Sequence, residues 1–438
     1  MHHLLLVPLV GGVFFTCCAS VDSADMAGDF QKPSILPIIK QLGHNNFRVR
    51  QEAYRALQNR GEEALPDLRD AFATMKDPEI HFRLGAIISE LQRKVLLTPK
   101  TVTLHMKSAS MKEIADELSR QTGYAIKPPL KIDQKFTIDF DNLTFWQAAE
   151  KILTVTGHDI VFQGHQVQLV QSRLHPYLYN NGLFRIQASN FNYTRMLQLS
   201  GFQLNGDQEI DQFENNLNFR FLVQIEPKTS LLRVHSIRIE KAVDENDHSM
   251  VRQTEPIQRY FYDEYGHRSR FYQQWCDMDL MKPANSSRQA KIIKGSAVAV
   301  LLSEIIPEIT IKPLVVGKKS IKAKGEITEL EILSFSNVNQ SYVLNMKIRK
   351  PSDVEVGGYH WANQIRAKMQ LFDEKNNKYN CSQSDINVYS NDEITANFVF
   401  TPENPNAKKI GPPVQFVFNR WMTISQEIQF EFNKLPLP

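Results

Sequence analysis

Between Val102 and Val170 the spacing of apolar residues changes twice in the same way. Val102, Leu104 and Met106 alternate with Thr101, Thr103, His105 and Lys107, the period of a strand with one buried face. From Ser110 the spacing lengthens to that of a helix, with Met111, Ile114, Ala115 and Leu118 on one stripe. The cycle then repeats. Phe136, Ile138 and Phe140 alternate with Lys135, Thr137 and Asp139, and Phe145, Ala148, Ala149, Ile152 and Leu153 follow at helical spacing. Aligning SMKEIADELSRQTGYAI (Ser110–Ile126) with TFWQAAEKILTVTGHDI (Thr144–Ile160) superposes Ser110 on Thr144, Ala115 on Ala149, Leu118 on Ile152, Thr122 on Thr156, Gly123 on Gly157 and Ile126 on Ile160, an offset of 34 residues.

Each predicted helix carries its own start and stop. Ser110 precedes Glu113 by three places and Thr144 precedes Gln147 by three, the capping-box spacing that satisfies free amide donors at a helix start. Gly123 and Gly157 stand where a left-handed C-terminal cap is expected. After the second helix, DIVFQ and QVQLV flank Gly164-His165, which predicts a hairpin. A period of 34 also occurs in tetratricopeptide arrays, but the strands between these helices argue against that architecture.

The order VTLHMKSASMKEIADELSRQTGYAI, then KFTIDFDNLTFWQAAEKILTVTGHDIVFQGHQVQLV, resembles the short N-terminal domain shared by secretins and TonB-dependent transducers. The resemblance implies a small two-layer α/β unit, residues 98–172, that binds protein partners in the periplasm. It carries over no catalytic residue, because the family motif contains none.

Upstream, Phe47–Asn59 places Val49, Ala53, Ala56 and Leu57 on one face, and Glu62–Thr74 does the same with Leu65, Leu68 and Phe72. Asp77-Pro78, an N-cap followed by proline, opens a third helix carrying Ile80, Leu84, Ile87, Ile88 and Leu91. This segment, residues 33–97, resembles HEAT-type repeats over one and a half copies. Stacked repeats need at least about three copies to bury a continuous core, so it is expected to lean on a neighbour and act as a structural cap.

Downstream of Gly182 the pattern is β throughout. Leu217, Phe219, Phe221, Val223 and Ile225 define one strand face. In LLRVHSIRIE the apolar phase slips from Leu232 and Val234 to Ile237 and Ile239, which predicts a β-bulge. Further faces are Tyr342, Leu344, Met346 and Ile348; Ile394, Ala396, Phe398 and Phe400; and Ile428, Phe430 and Phe432. Turns are expected at Asp244–Asp247, Asp373–Lys378 and Asn404–Asn406. The expected fold class is multidomain α+β: the helical segment, the α/β module, then two antiparallel β-sandwich-like domains at 182–316 and 320–438.

Leu4–Phe15 is an uncharged apolar run followed by small and polar residues, the form of a secretory signal peptide over residues 1–24, although Met-His-His before it lacks Lys or Arg. This places the chain in the periplasm or outside the cell, with no transmembrane span after cleavage. Phe-Phe-Thr before Cys17 is a poor lipobox, which disfavours anchoring through Cys17 or Cys18. Cys276 and Cys381 then remain, either as a disulfide suited to an oxidising compartment or as two separate buried thiols. The net charge of +3, from 51 basic and 48 acidic side chains, gives no strong preference for nucleic acid. The whole arrangement is similar to secreted proteins of planctomycete-type bacteria to which no activity is assigned.

Chemistry-bearing motifs are sparse. HExxH, paired CxxC, Walker, GxGxxG and GxSxG patterns are missing from the sequence, and no cofactor or metal is implied. Asp277 and Asp279 read either as an acid pair or as alternate residues on a solvated strand face. The Asp244–His248 cluster reads as a hairpin tip, since it lacks the oxygen spacing and central glycine of a calcium loop. Arg259–Trp275 interleaves aromatics with arginines, and Arg259, Tyr260, Tyr262, Tyr265, Arg268 and Trp275 are the candidate binding residues. The alternative for this stretch is a hairpin whose aromatics complete a core. The resulting expectation is a non-enzymatic exported cell-envelope protein that acts as a protein-interaction or scaffold module, with envelope proteins as partners. The alternative is a carbohydrate- or cell-wall-binding protein with polysaccharide as the partner, and an enzyme of unrecognised type ranks third.

Overall fold

The computed structural model describes residues 35–129, 133–163, 166–173, 175–198, 212–252, 272–282, 287–317, 320–338, 341–351, 365–390, 392–403 and 410–438. The expected leader, the Gly164-His165 and Asn404–Asn406 turns and all of Arg259–Arg270 lie outside these. The chain divides into two compact units, residues 1–88 and 89–438. Among the described residues no helix is long and apolar enough to cross a membrane.

In the first unit, α1 (Leu36–Gln41), α2 (Phe47–Asn59), a 3-10 turn (Gly61–Ala64), α3 (Leu65–Thr74) and the start of α4 (Pro78–Leu97) follow the sequence periods closely. Asn46 accepts from the Arg48 amide at 2.9 Å, and Asp77 accepts from the Glu79 and Ile80 amides at 3.0 Å, so both helices begin on side-chain caps. Ile39, Leu57, Leu68, Leu84 and Ile87 are buried. Ala56, expected on the buried face of α2, is exposed, and Phe72 is half-buried against the ring of His81, 3.8 Å between centroids.

The second unit begins within α4. Its doubled segment comprises β1 (Thr101–Ser110), α5 (Met111–Thr122), β2 (Ile126–Lys127), β3 (Lys135–Thr144), α6 (Phe145–Thr156), β4 (His158–Gln163) and β5 (Gln166–Gln171). β1 and β3 form an antiparallel ribbon, and β2, β5 and β4 a separate three-stranded sheet in which β2 runs parallel to β5. Ser110 and Glu113 complete a reciprocal capping box, and Gln147 accepts from the Thr144 amide at 3.0 Å. Gly123 and Gly157 adopt φ of 77° and 71°, the left-handed caps that a side chain would strain.

The repeat extends to details the apolar pattern does not show. Ser108 and Asn142, also 34 apart, both have positive φ and mark a bulge in each strand of the ribbon. Asn142 donates its amide to Thr103 Oγ1 at 2.9 Å, and Ser108 donates to Thr137 Oγ1 at 3.3 Å, the same bond made in both directions. Thr122 and Thr156 each donate their hydroxyls back to Leu118 and Ile152 carbonyls.

The remainder is antiparallel β. Strands β6 (Leu178–Asn181), β7 (Phe184–Gln198), β8 (Gln212–Ile225) and β10 (Gln273–Leu280) form a four-stranded sheet in the order β10-β8-β7-β6. The other sheet has nine strands: β9 (Leu231–Asp244), β11 (Gln289–Ile311), β12 (Ile321–Lys324), β13 (Glu329–Val338), β14 (Ser341–Arg349), β15 (Met369–Asp373), β16 (Lys378–Tyr389), β17 (Glu393–Pro402) and β18 (Pro413–Pro436), in the order β12-β13-β14-β17-β16-β15-β18-β11-β9. The slip expected in LLRVHSIRIE is present: Ser236 has φ of 51°, and the register against β11 shifts between His235 and Arg238.

Two β cores exist, but they do not divide at Val316–Ser320 as the expected domains would. β11 and β18 pair along nearly their whole lengths and serve both cores. Ile309, Phe416 and Phe418 pack with Leu344, Phe398 and Phe400, whereas Leu301, Ile428, Phe430 and Phe432 pack with Phe219 and Phe221. The rings of Phe221 and Phe430 lie 5.1 Å apart, and those of Phe219 and Phe432 5.7 Å. The C-terminal half of β18 therefore completes the earlier β core. That same core is continuous with the interior of the α/β module, including Ile114, Leu118 and Ile152.

Gly295 shows how tightly β9, β11 and β18 meet. A Cβ at this position would lie 2.3 Å from the Arg238 carbonyl oxygen and 2.7 Å from the Phe430 ring. Gly295→Ala is expected to destabilise the chain by about 1–3 kcal/mol through overpacking. Lys294→Ala next to it should stay within about 0.5 kcal/mol. Urea unfolding of the two variants beside the parent checks both values.

Candidate functional site

The candidate site lies where the α/β module meets the β body. α6 is amphipathic enough to bury Trp146 completely, and its indole Nε1 donates to the Leu183 carbonyl at 2.8 Å. Next along the chain, β7 brings Arg185 beneath the module at 1 % exposure. Its two terminal nitrogens donate to Asp159 Oδ1 and Oδ2, both at 2.8 Å, and its guanidinium lies 5.4 Å from the centre of the Trp146 ring. Asn180 on β6 donates to Glu150 of α6 at 2.9 Å. Aromatic contacts run through the seam from Tyr124 to Phe145, Trp146, Phe162 and Tyr272.

A second buried charge site lies at the other end of the seam. Glu226, fully buried, follows β8 and accepts on Oε2 from the Lys100 amide at 3.1 Å and the Tyr124 hydroxyl at 2.9 Å. Among the described residues Oε1 has no hydrogen-bond partner. Burial raises this carboxyl to about 7 against the hydrogen bonds from Lys100 and Tyr124 and the charges of Lys228 and Lys100, which act to lower it. Burial, with the Glu226 charge, also pushes the Tyr124 phenol up. Lys228 donates to the Val95 and Thr98 carbonyls, holding the C-terminal end of α4.

With one side fixed in this way, the module presents the solvent face of the β1–β3 ribbon. His105 bridges its cross-strand partner Asp139, 2.6 Å from Nδ1, and Asp141, 3.0 Å from Nε2. Both ring nitrogens meet acceptors, which calls for the doubly protonated imidazolium. Asp139 and then Asp141 raise its pKa accordingly. So held, His105 lies between two carboxylates on an exposed sheet face, with both ring nitrogens engaged.

The residues singled out from the sequence fall elsewhere. Arg259, Tyr260, Tyr262, Tyr265 and Arg268 lie outside the described residues. Trp275 is on β10, the outer strand of its sheet, and is 43 % exposed. Cys276 and Cys381 do not pair: both are free thiols, one buried in each β core. Burial pushes the Cys276 thiol up and raises Cys381 to about 12, which leaves both as poor nucleophiles.

Asp277 and Asp279 do not act together as an acid pair. Asp277 takes a bidentate pair from its cross-strand partner Arg220, at 2.9 and 3.2 Å, and Asp279 accepts from Asn218. Asp244 is consumed by its own turn. Burial acts to raise its carboxyl, but bonds from Ser287, His248 and Asn246 prevail and hold it at about 2. Among the described residues no group of three or more His, Cys, Asp or Glu is placed to hold a metal ion.

Sequence reasoning missed Arg185, Asp159, Glu226 and His105. One signal was available for the last: His105 lies opposite Asp139 once β1 and β3 are paired through the repeat. No protein-family model matches the chain, and comparison with curated proteins and with solved structures brings out no similar protein in either.

The Glu226 carboxyl, about 7 when folded against 4.5 for an ordinary glutamate, gives the seam a pH dependence of known sign. A raised folded value means its contribution is complete below pH 4.5 and is lost as pH rises through 7. The unfolding free energy is expected to fall by about 3 kcal/mol across that window because of this group. Glu226→Gln should lack that part of the slope. Urea unfolding of parent and variant at stepped pH isolates the difference.

Proposed function

We propose that this chain is an exported, non-enzymatic cell-envelope protein whose α/β module binds partner proteins, with the β body as its mount. The observation that carries the reading is the asymmetry of the module. One side is locked by Arg185–Asp159, Trp146–Leu183 and Tyr124–Glu226, while the β1–β3 ribbon is left exposed. A surface held rigidly on a scaffold loses little conformational entropy on binding. The doubled, similarly capped strand-helix-strand pattern supports its likeness to the secretin and TonB-transducer domain, and the apolar Leu4–Phe15 run supports export.

Immobilised chain exposed to cell-envelope extract is expected to retain a specific protein. A ribbon-face variant, His105→Ala with Lys107→Glu, should retain at least about tenfold less at an unchanged melting temperature. Retention of the same protein by both chains would exclude the ribbon as the binding face.

A second reading, polysaccharide binding, draws on the exposed indole of Trp275 at the end of the aromatic segment. On that reading the chain is retained by insoluble cell-wall polysaccharide and Trp275→Ala is released from it, again without a change in melting temperature. Equal elution of the two from the polysaccharide would eliminate this reading.

A further inference from the structure

The two outer edges of the ribbon are related by the repeat but are not alike. On β1, Gln121 Oε1 accepts from the Thr103 amide at 2.9 Å and Gln121 Nε2 donates to the Thr103 carbonyl at 2.6 Å. This carboxamide occupies the two groups that β1 would otherwise offer to a further strand at that point. Thirty-four residues on, the corresponding pair is Thr137 on β3 and Val155 on α6. Val155 is 38 % exposed and has no side-chain polar atom, so it cannot block the edge in the same way. Among the described residues β3 pairs with β1 alone.

The direction of the free groups follows from the register. Thr103 turns its amide and carbonyl away from β3, so Leu104 and Met106 turn theirs inward, opposite Phe140 and Ile138. Lys135, Thr137 and Asp139 therefore turn theirs outward along β3. Their side chains lie on the exposed face, while Phe136, Ile138 and Phe140 are buried.

We propose that the β3 edge pairs antiparallel with the β3 edge of a second copy of this chain, about a twofold axis at Ile138. The segment KFTIDFD, residues 135–141, is complementary to itself in that register. Lys135 lies opposite Asp141 of the second copy, Phe136 opposite Phe140, Thr137 opposite Asp139 and Ile138 opposite itself. The Lys135–Asp141 pair forms twice, on carboxylates that His105 Nε2 already meets through Oδ1 at 3.0 Å, and Thr137 and Asp139 exchange backbone hydrogen bonds.

Neighbouring registers are worse. A centre at Asp139 sets that carboxylate against its own copy, and a centre at Thr137 places Lys135 opposite Asp139 but offsets that gain by setting Asp133 against Asp141 twice. The bulge at Asn142 turns β3 away just beyond Asp141 and ends the pairing there. On the other edge, Gln121 covers β1 at Thr103 and disfavours the same contact there, so a contact about the β3 twofold axis closes at two copies.

This assignment rests on the reading of the module as an association element, and the experiment separates the two. Sedimentation velocity of the full chain over a range of concentrations is expected to show a monomer–dimer equilibrium. Lys135→Glu, which places like charges opposite each other twice, should weaken it by about tenfold or more. Lys135→Glu combined with Asp141→Lys should restore it. A mixture of Thr137→Cys and Asp139→Cys chains should cross-link on oxidation more than either chain alone, because those positions face each other only between copies.

All variants are to be compared at equal melting temperature. A chain that stays monomeric, a dimer indifferent to Lys135→Glu, or equal cross-linking in the single-variant samples overturns the proposal. If the monomeric chain still captures a different protein through the ribbon, self-pairing fails while the interaction reading stands.

Discussion

The second unit depends on one buried cation. Taking the Arg185 guanidinium out of water costs several kcal/mol, and removing either partner of such a pair is far more damaging than never having built it. The cost is offset only because Asp159 meets it with both oxygens and Trp146 lies under its face. Those partners come from β4 and α6, whereas Arg185 comes from β7. The pair can form only when the module and the β body hold one relative position. What would be a freely linked small domain is thereby made part of a single core, continuous from Ile114 to Phe432.

Glu226 sits in the same seam under opposed influences: burial raises its carboxyl, while the Lys100 amide and the Tyr124 hydroxyl on Oε2 act to lower it. Arg185 and Glu226 thus tie the module to the β body at two ends of one seam, the first through Asp159 and the second through Tyr124 and the Lys100 amide. On the exposed ribbon, the β3 edge lacks the side-chain amide that meets β1 at Thr103.

The β body reaches its stability by sharing strands. β11 and β18 are long enough to leave one core and enter the next, so no linker separates the two. Such long-range pairing between residues more than a hundred positions apart gives no local mark in the sequence. It explains why an expected boundary at Val316–Ser320 and the actual change of core, between Leu301 and Ile309, differ.

Local features were legible because they are written in neighbouring residues. The caps at Ser110 and Thr144, the left-handed glycines at 123 and 157, the bulge at Ser236 and the buried faces of β8, β14 and β17 follow from spacing and from the chemistry of single side chains. The candidate site was not legible in this way. Nothing near Arg185 in the chain marks it as buried, since its partner is on another strand and its aromatic neighbour on a helix. Likewise Cys276 and Cys381 could be counted but not placed, and it is their separate cores that keep them apart. The sequence by itself determined the caps, the periods and most buried faces of the segments it marks, from Val102 to Val170 and at β8, β14 and β17, because those depend on spacing and local hydrogen bonding. Only the tertiary structure decided which faces share a core, which charges meet in it and which edge is left open, because those depend on contacts between residues far apart in the chain.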